Sequence, residues 1–201
     1  LPPSLALGLV HGLWLPLLSR TPALLLPDPL DARAVGRAVT ARSATILLAT
    51  PRLLELYLRD VSPGRFGSLR LVIACGERLR PALRAAFEER FGLRPVEALS
   101  STECSGLVSL GTPDVRSAGH FQRGARPGWV GHPLPGLSVE VVDPADGSLR
   151  AAGQAGELRV RGPAVARGYP DDPAGQARAF RDGWYVSGDE AVMDEDGFLR
   201  V

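Results

Sequence analysis

The stretch Leu69-Arg70-Leu71-Val72-Ile73-Ala74 carries the clearest strand pattern in the chain, and Cys75-Gly76-Glu77 follows it directly. A largely apolar run that contains β-branched residues and ends at a glycine is typical of a buried strand that leads into a turn. Helical patterns lie on both sides of this strand. Pro51 opens a helix that continues to about Arg59, and another helix begins near Pro81. The local order is therefore helix, strand and helix.

Further strands and helices alternate along the first half of the chain. Asp31 is placed to cap a helix that continues to about Ser43. Four residues of this helix are spaced to form one apolar face: Ala32, Val35, Ala38 and Val39. Short strands are predicted at Ala23–Leu26, Thr45–Leu48 and Pro95–Ala98. This alternation predicts an α/β fold with a mostly parallel sheet and helices on its faces.

Two loops are predicted at the edge of this sheet where a ligand would bind. In α/β sheets of this kind, ligands bind outside the carboxyl ends of the strands. The loop Cys75-Gly76-Glu77 follows one predicted strand, and Leu99–Glu103 follows the next. We therefore expect both loops at one ligand-binding edge.

The apolar start of the chain is interpreted as a buried helix. The run Leu5–Leu18 is short for a membrane span, and His11 and Pro16 interrupt it. No basic leader and no small-residue cleavage site accompany it, which argues against a signal peptide. The chain begins at Leu1 and stops at Val201, and both ends look cut, so we expect a fragment of a longer protein.

The pattern changes near Gly124, where glycine and proline become dense and helical periodicity fades. Short strands are predicted at Ser138–Val142, Gly156–Arg161, Trp184–Ser187 and Ala191–Met193, with one helical insert at Pro173–Phe180. The predicted organisation is an α/β subdomain over residues 1–123 and a small β-rich, barrel-like subdomain over residues 124–201.

Composition excludes several classes of function. The chain has 201 residues, 45% of them hydrophobic, and a formal net charge of +1, so it can form a sizeable core but has no electrostatic footprint for nucleic acid. It contains no lysine, which excludes a Schiff-base or phosphate-loop lysine within it. The two cysteines, Cys75 and Cys104, lack metal-ligand or disulfide spacing and fit a reduced, cytosolic setting.

Two groups of residues could carry chemistry. Ser101-Thr102-Glu103 offers two hydroxyls and a carboxylate, which we expect on a turn between a strand and a helix. The hydroxyls could bind phosphate oxygens and the carboxylate could bind Mg²⁺, or the triplet could simply cap the helix. Asp189 could accept hydrogen bonds from both ribose hydroxyls of a nucleotide, or it could be an ordinary turn residue.

Five motifs, taken together in their order along the chain, favour the nucleotide-binding alternatives over the purely structural ones. They are CGERL at residues 75–79, STE at 101–103, GELRVRGPAVARGY at 156–169, WYVSGD at 184–189 and DEDGFL at 194–199. In this order they resemble the adenylate-forming superfamily, which includes acyl-CoA synthetases, luciferases and the adenylation domains of peptide synthetases. The resemblance covers essentially the whole chain and implies part of the large N-terminal domain of such enzymes. Segments such as Gly12–Leu18 and Phe180–Tyr185 are most similar to the synthetase part of bacterial acyl-[acyl-carrier-protein] synthetase/2-acylglycerophosphoethanolamine acyltransferases.

The resemblance implies a role for each candidate residue. Thr102 would contact the nucleotide phosphate and Glu103 would bind Mg²⁺, and these two would be the catalytic residues. The other implied nucleotide-binding residues are Gly76, Glu77 and Leu99 at the adenine, Ser100 and Ser101 close to the nucleotide, and Asp189 at the ribose. The helix near Gly8–Trp14 and the loop around Gly106 would border the acyl site. ATP and Mg²⁺ are the implied cofactors.

The implied reaction joins a fatty acid to AMP, with release of pyrophosphate, and then passes the acyl group to a thiol. The thiol would belong to acyl carrier protein, or alternatively to coenzyme A. Members of the subgroup can be fused to membrane parts, so the parent protein is expected in the cytoplasm or at the cytoplasmic face of the inner membrane. A non-catalytic acyl- or nucleotide-binding homologue, or a scaffold without ligands, remains an alternative.

The chain departs from the superfamily pattern at several places. Leu99-Ser100 stands where an aromatic residue and glycine are usual, so leucine offers the adenine only an apolar contact. The run Pro3–Leu7 lacks the histidine and the aromatic neighbours that usually precede the Gly8 position. The phosphate loop that should precede Leu1 and the lid domain that should follow Val201 are both absent, so this segment alone is not expected to be a competent enzyme.

Overall fold

The computed structural model describes all 201 residues of the chain. The α-helices are α1 (Ala6–Leu9), α2 (Leu15–Ser19), α3 (Ala32–Arg42), α4 (Pro51–Asp60), α5 (Pro81–Phe91) and α6 (Pro173–Ala179). A π-helical turn at Val10–Trp14 joins α1 to α2, and a 3₁₀ turn occupies Pro63–Phe66. The strands are β1 (Ile46–Ala49), β2 (Leu71–Ala74), β3 (Val96–Ser101), β4 (Gly106–Leu110), β5 (Val115–Ser117), β6 (His120–Gln122), β7 (His132–Pro133), β8 (Ser138–Val142), β9 (Ala155–Arg161), β10 (Phe180–Arg181), β11 (Trp184–Met193) and β12 (Leu199–Arg200).

The first sheet has the order β1-β2-β3-β4-β7. Its strands β1, β2 and β3 pair in parallel, β4 pairs antiparallel with β3, and β7 pairs antiparallel with β4. Successive side chains of β2 alternate between the two faces, as the pleat requires. Val72 and Ala74 belong to a core cluster shared with α3, α4 and α5, whereas Ile73 and Cys75 belong to a cluster with Leu7 on the other side. Both faces of the sheet are therefore covered, and the predicted α/β fold class is confirmed.

The second sheet is antiparallel, with the order β10-β11-β9-β8 and with β12 paired to β11. Its inner residues, among them Leu158, Val160 and Leu199, form a third core cluster. Cys104 and Val108, from the turn before β4 and from β4 itself, belong to the same cluster, so the two sheets share a core. The proposed boundary between residues 123 and 124 stays a prediction. The short strand β7, although it follows that boundary, pairs with the first sheet.

The predicted helix at the start of the chain is present, but the prediction that it is buried is wrong. Leu7 and Gly8 are buried, whereas Trp14 is 51% exposed and Leu18 is 79% exposed. Apolar composition favours burial only where a second layer exists to cover it. Here α1 packs on β3 and β4, whereas α2 contacts mainly the adjoining π-helical turn. No helix of the chain has both the length and the apolar character that a membrane span requires.

The predicted strand at Ala23–Leu26 is also wrong, because these residues form no strand. Leu24 is 40% exposed and Leu25 is 56% exposed. A strand needs a hydrogen-bonded neighbour, and β1 pairs only with β2. The flanking Pro22 and Pro27 have no N–H groups to donate to a ladder. A run of apolar residues alone was therefore too weak a signal.

Candidate functional site

The carboxyl ends of β1, β2 and β3 define one edge of the first sheet. In the parallel register Ala49 lies opposite Ala74, and Ala74 lies opposite Glu97. The loop that contains Gly76 and Glu77 therefore follows β2 at the same edge toward which β3 runs. Gly76 has a φ of +87°, a conformation that favours glycine, and Glu77 is exposed. The turn that follows Ser101 lies at this same edge, as the alternation of helix and strand predicts. The prediction that Leu99–Ser101 belong to a loop is wrong, because they are the last residues of β3 and pair with β4.

The Ser101-Thr102-Glu103 triplet begins a hairpin turn between β3 and β4, so the prediction of a turn between a strand and a helix is wrong. Ser101 pairs with Gly106 across the hairpin, and the amide of Cys104 donates to the carbonyl of Ser101 at 3.3 Å. Gly106 has a φ of +121°, which lets the chain reverse into an antiparallel strand. No helix follows for the triplet to cap, and no helix N-terminus can supply amides to a phosphate here.

Hydrogen bonds hold the Glu103 carboxylate on both of its oxygens. Ser101 Oγ donates to Oε2 at 2.6 Å, and Tyr169 Oη donates to Oε1 at 2.6 Å. Partial burial alone would raise the pKa of Glu103, but hydrogen bonds from Ser101, Tyr169 and Tyr185 outweigh it, and the net effect lowers that pKa. Glu103 is therefore ionised at neutral pH, next to the exposed hydroxyl of Thr102.

Two tyrosines of this site, Tyr169 and Tyr185, lie within the sequence motifs, but sequence reasoning gave neither a functional role. The hydrogen bond to Glu103 raises the pKa of Tyr169 to about 12, so its phenol remains a donor. Burial, together with the nearby Glu103 charge, raises the pKa of Tyr185, although a hydrogen bond with Ser101 opposes this. Tyr169 lies 66 residues beyond Glu103 in the chain. No local spacing pattern could have indicated that contact.

Asp189 lies in an irregularity of β11. The sequence predicted two strands, Trp184–Ser187 and Ala191–Met193, but the structure has one strand whose register with β9 shifts between Val186 and Glu190. Such a bulge re-aims side chains near functional sites. Asp189 is exposed, and its amide donates to Ser187 Oγ at 3.1 Å. It lines an open cleft of about 300 Å³, together with Pro144, Arg150, Ala155, Gly156, Glu157, Gly188 and Glu190.

The structure thus brings together some predicted site residues and separates others. Ser101 and Glu103 are in direct contact. The cleft beside Asp189 contains none of the other predicted nucleotide-binding residues. Asp189 lies on the same strand, β11, as Tyr185, which lies beside Ser101 and Glu103. The predicted ribose role of Asp189 stays a prediction.

Leu99 and Ser100 lie at a second irregularity, where the register of β3 with β4 shifts. Leu99 is partly buried against the core cluster that the two sheets share. Ser100 pairs with Leu107, and its φ is not positive, so the backbone conformation does not demand glycine there. The predicted contacts of both residues with a nucleotide stay predictions.

The Glu103 carboxylate fits the Mg²⁺ that the resemblance implies. Mg²⁺ in nucleotide sites takes one or two carboxylates together with phosphate oxygens and waters, not a cage of protein ligands. Glu103 supplies one ionised carboxylate, and no group of three or more His, Cys, Asp or Glu side chains is placed to hold a metal.

Neither cysteine is a ready nucleophile, because burial raises the pKa of Cys75 to about 12 and that of Cys104 to about 11.

This α/β sheet, joined through a shared core to an antiparallel sheet, matches the N-terminal domain of adenylate-forming enzymes. The model of the AMP-binding enzyme family matches residues 1–170. The chain therefore belongs to the AMP-binding enzyme family, within the adenylate-forming superfamily.

Individual relatives agree with this assignment. The chain is 32% identical to a probable CoA ligase of Humulus lupulus over 96% of its own length and 37% of that protein. It is 32% identical to a long-chain-fatty-acid–CoA ligase of Yersinia pestis over 89% of its length and 31% of that protein. ATP-bound MatB from Rhodopseudomonas palustris superposes on the whole chain with a TM-score of 0.83 and 27% identity, over 38% of that structure. The chain spans about a third of the length of each of these proteins.

Proposed function

We propose that the protein containing this chain is an ATP-dependent ligase that activates a fatty acid as acyl-AMP and passes the acyl group to a thiol. The observation that carries this proposal is the ionised Glu103 carboxylate, fixed by Ser101 and Tyr169 beside the exposed Thr102 hydroxyl. The relatives that are named as CoA ligases support it.

In the proposed reaction, the chain's own residues bind and orient the nucleotide. Thr102 donates its hydroxyl to a phosphate oxygen, and Glu103 holds Mg²⁺, which would neutralise charge that develops on the phosphates. Asp189 accepts hydrogen bonds from the ribose hydroxyls. Gly76 and Glu77, beyond the end of β2, border the adenine.

The first step forms a bond between a carboxylate oxygen of the fatty acid and the α-phosphorus of ATP. The bond from that phosphorus to the bridging oxygen breaks, and pyrophosphate leaves with the electron pair. In the second step a thiolate attacks the acyl carbon, and AMP leaves. Most of the rate enhancement in the first step comes from positioning and from stabilisation of charge.

The acceptor thiol has two candidates, which different observations favour. The subgroup resemblance of segments such as Gly12–Leu18 favours acyl carrier protein. Coenzyme A is favoured by the relatives in Humulus lupulus and Yersinia pestis, which are named as CoA ligases. The proposed setting is the cytoplasm, or the cytoplasmic face of the inner membrane through other parts of the protein.

Product analysis of the complete natural protein tests this proposal. The protein is incubated with palmitate, ATP and Mg²⁺, and with either coenzyme A or a phosphopantetheinylated acyl carrier protein. We expect AMP and one palmitoyl thioester, detected by mass spectrometry, and neither product when palmitate is omitted. Folded protein that binds ATP but releases no pyrophosphate with any acid would instead support the non-catalytic homologue.

A further inference from the structure

The segment at residues 162–170, here called the strap, lies against the hairpin turn that carries Thr102 and Glu103. The amide of Ala166 donates to the carbonyl of Glu103 at 2.6 Å. Ser105 Oγ, at the other end of the turn, donates to the carbonyl of Ala164 at 2.7 Å. The strap is therefore tied to the backbone of Glu103 and to the residue that closes the turn.

Tyr169 lies near the end of the strap, and several contacts define its position. Its amide donates to Oε1 of Gln176 at 2.7 Å, and its ring meets the edge of Phe180 with 5.2 Å between ring centroids. Gly168 has a φ of +139°, a backbone conformation that favours glycine, and a Cβ there would displace the Gln176 amide group that binds Tyr169. These contacts fix the position from which the Tyr169 hydroxyl contacts Glu103.

We propose that Tyr169 is a positioning residue that holds the Glu103 carboxylate in one orientation for binding Mg²⁺ with ATP. The metal role of Glu103 in this inference rests on the proposed function. Ser101 donates to one carboxylate oxygen and Tyr169 donates to the other, and a carboxylate offers about four lone-pair sites. Both oxygens therefore keep capacity for a cation while the carboxylate is held.

The proposal predicts that the Tyr169 hydroxyl affects metal-dependent binding selectively. Without the Tyr169 hydroxyl, the Glu103 carboxylate samples more rotamers. Ordering it again when Mg²⁺ binds costs entropy, which lowers the affinity for ATP in the presence of Mg²⁺. Contacts of ATP that do not involve the metal are unaffected by this loss. A structural role alone would weaken ATP binding with and without Mg²⁺ to the same extent.

Calorimetric titration of the complete protein with ATP measures this difference. We expect Tyr169→Phe to weaken ATP binding about tenfold in Mg²⁺ and by less than about twofold in excess EDTA, since one charge-assisted hydrogen bond is lost. Tyr57→Phe is the matched control, because its hydroxyl donates to the carbonyl of Pro29 at 2.9 Å, away from the site. Unchanged affinity in Mg²⁺, or an equal loss in both titrations, would overturn the proposal.

A double-mutant cycle on the ligand-free protein tests the contact without any nucleotide. Hydrogen exchange of the Ala166 amide should accelerate about tenfold in Tyr169→Phe and in Glu103→Ala, and no further in the double variant. If the accelerations of the two single variants multiply in the double variant, Tyr169 and Glu103 act independently, which would contradict the proposal. A wild-type protein that does not bind ATP with Mg²⁺ would overturn the proposed function and the metal part of this inference, while the cycle would still decide the contact.

Discussion

Replacement of Glu103 by Gln should lower fatty-acid-dependent ATP–pyrophosphate exchange by about 10² to 10³, the usual cost of removing one charge-stabilising group from a phosphoryl- or acyl-transfer site. Glutamine keeps the shape of the side chain, and its carbonyl oxygen can still accept from Tyr169. The substitution therefore removes the charge while it preserves the fold of the hairpin turn. The exchange rate of the complete protein, measured at saturating ATP over a range of Mg²⁺ concentrations, reports the effect.

The matched control for this prediction is Glu195→Gln. Glu195 is exposed in the turn between β11 and β12, and the substitution removes the same charge without touching the candidate site. We expect the control to retain the wild-type rate within about twofold, as is usual for surface substitutions. Equal rates in Glu103→Gln and the wild type would contradict the assigned role of the carboxylate.

The second large effect concerns stability. We expect Glu97→Ala to lower the free energy of unfolding by about 3–5 kcal/mol, because it leaves a buried charge without a partner. Glu97 lies on β3 and forms an ion pair with Arg84 of α5, and their side chains are only 7% and 9% exposed. Oε1 of Glu97 also accepts a hydrogen bond from the amide of Gly128 at 2.8 Å. Truncation to alanine therefore removes the partner of both the Arg84 guanidinium and the Gly128 amide.

Urea unfolding of the wild type, Glu97→Ala and Glu88→Ala measures this effect. Glu88 provides the matched control, because it also pairs with an arginine, Arg94, but the two side chains are 40% and 67% exposed. Exposed pairs contribute about 0–1 kcal/mol, so this control should remain close to the wild type. Similar losses in the two variants would contradict the role of the buried pair in anchoring β3, the strand that carries the site.

The parts of the fold that the sequence predicted correctly depend on strong local patterns. Asp31 caps α3 through a hydrogen bond from the amide of Ala34, and Pro51 opens α4, as predicted. The strand at Leu71–Ala74 and the turn at Gly76 follow from apolar periodicity and from the freedom of glycine. In each case the residues within and next to the element are sufficient to predict it.

The errors arise where distant parts of the chain decide the structure. A hydroxyl followed by a glutamate resembles a helix cap, but the pairing of β4 with β3 turns Ser101–Glu103 into a hairpin. The burial predicted for Leu5–Leu18 depends on a covering layer, which composition cannot reveal. The contact between Tyr169 and Glu103 joins a residue that follows β9 to a residue that follows β3. The sequence alone could not indicate that Tyr169 holds the candidate carboxylate, because this contact depends on how the two sheets pack.

The most direct test of the central claim is fatty-acid-dependent ATP–pyrophosphate exchange by the complete protein, run beside Asp189→Ala. We expect exchange that requires the acid and that falls about tenfold to hundredfold in the variant, since hydrogen bonds to the ribose hydroxyls are lost. Absence of exchange with every acid, from protein shown to be folded, would contradict adenylate formation. Undiminished exchange in Asp189→Ala would contradict the ribose role of that carboxylate.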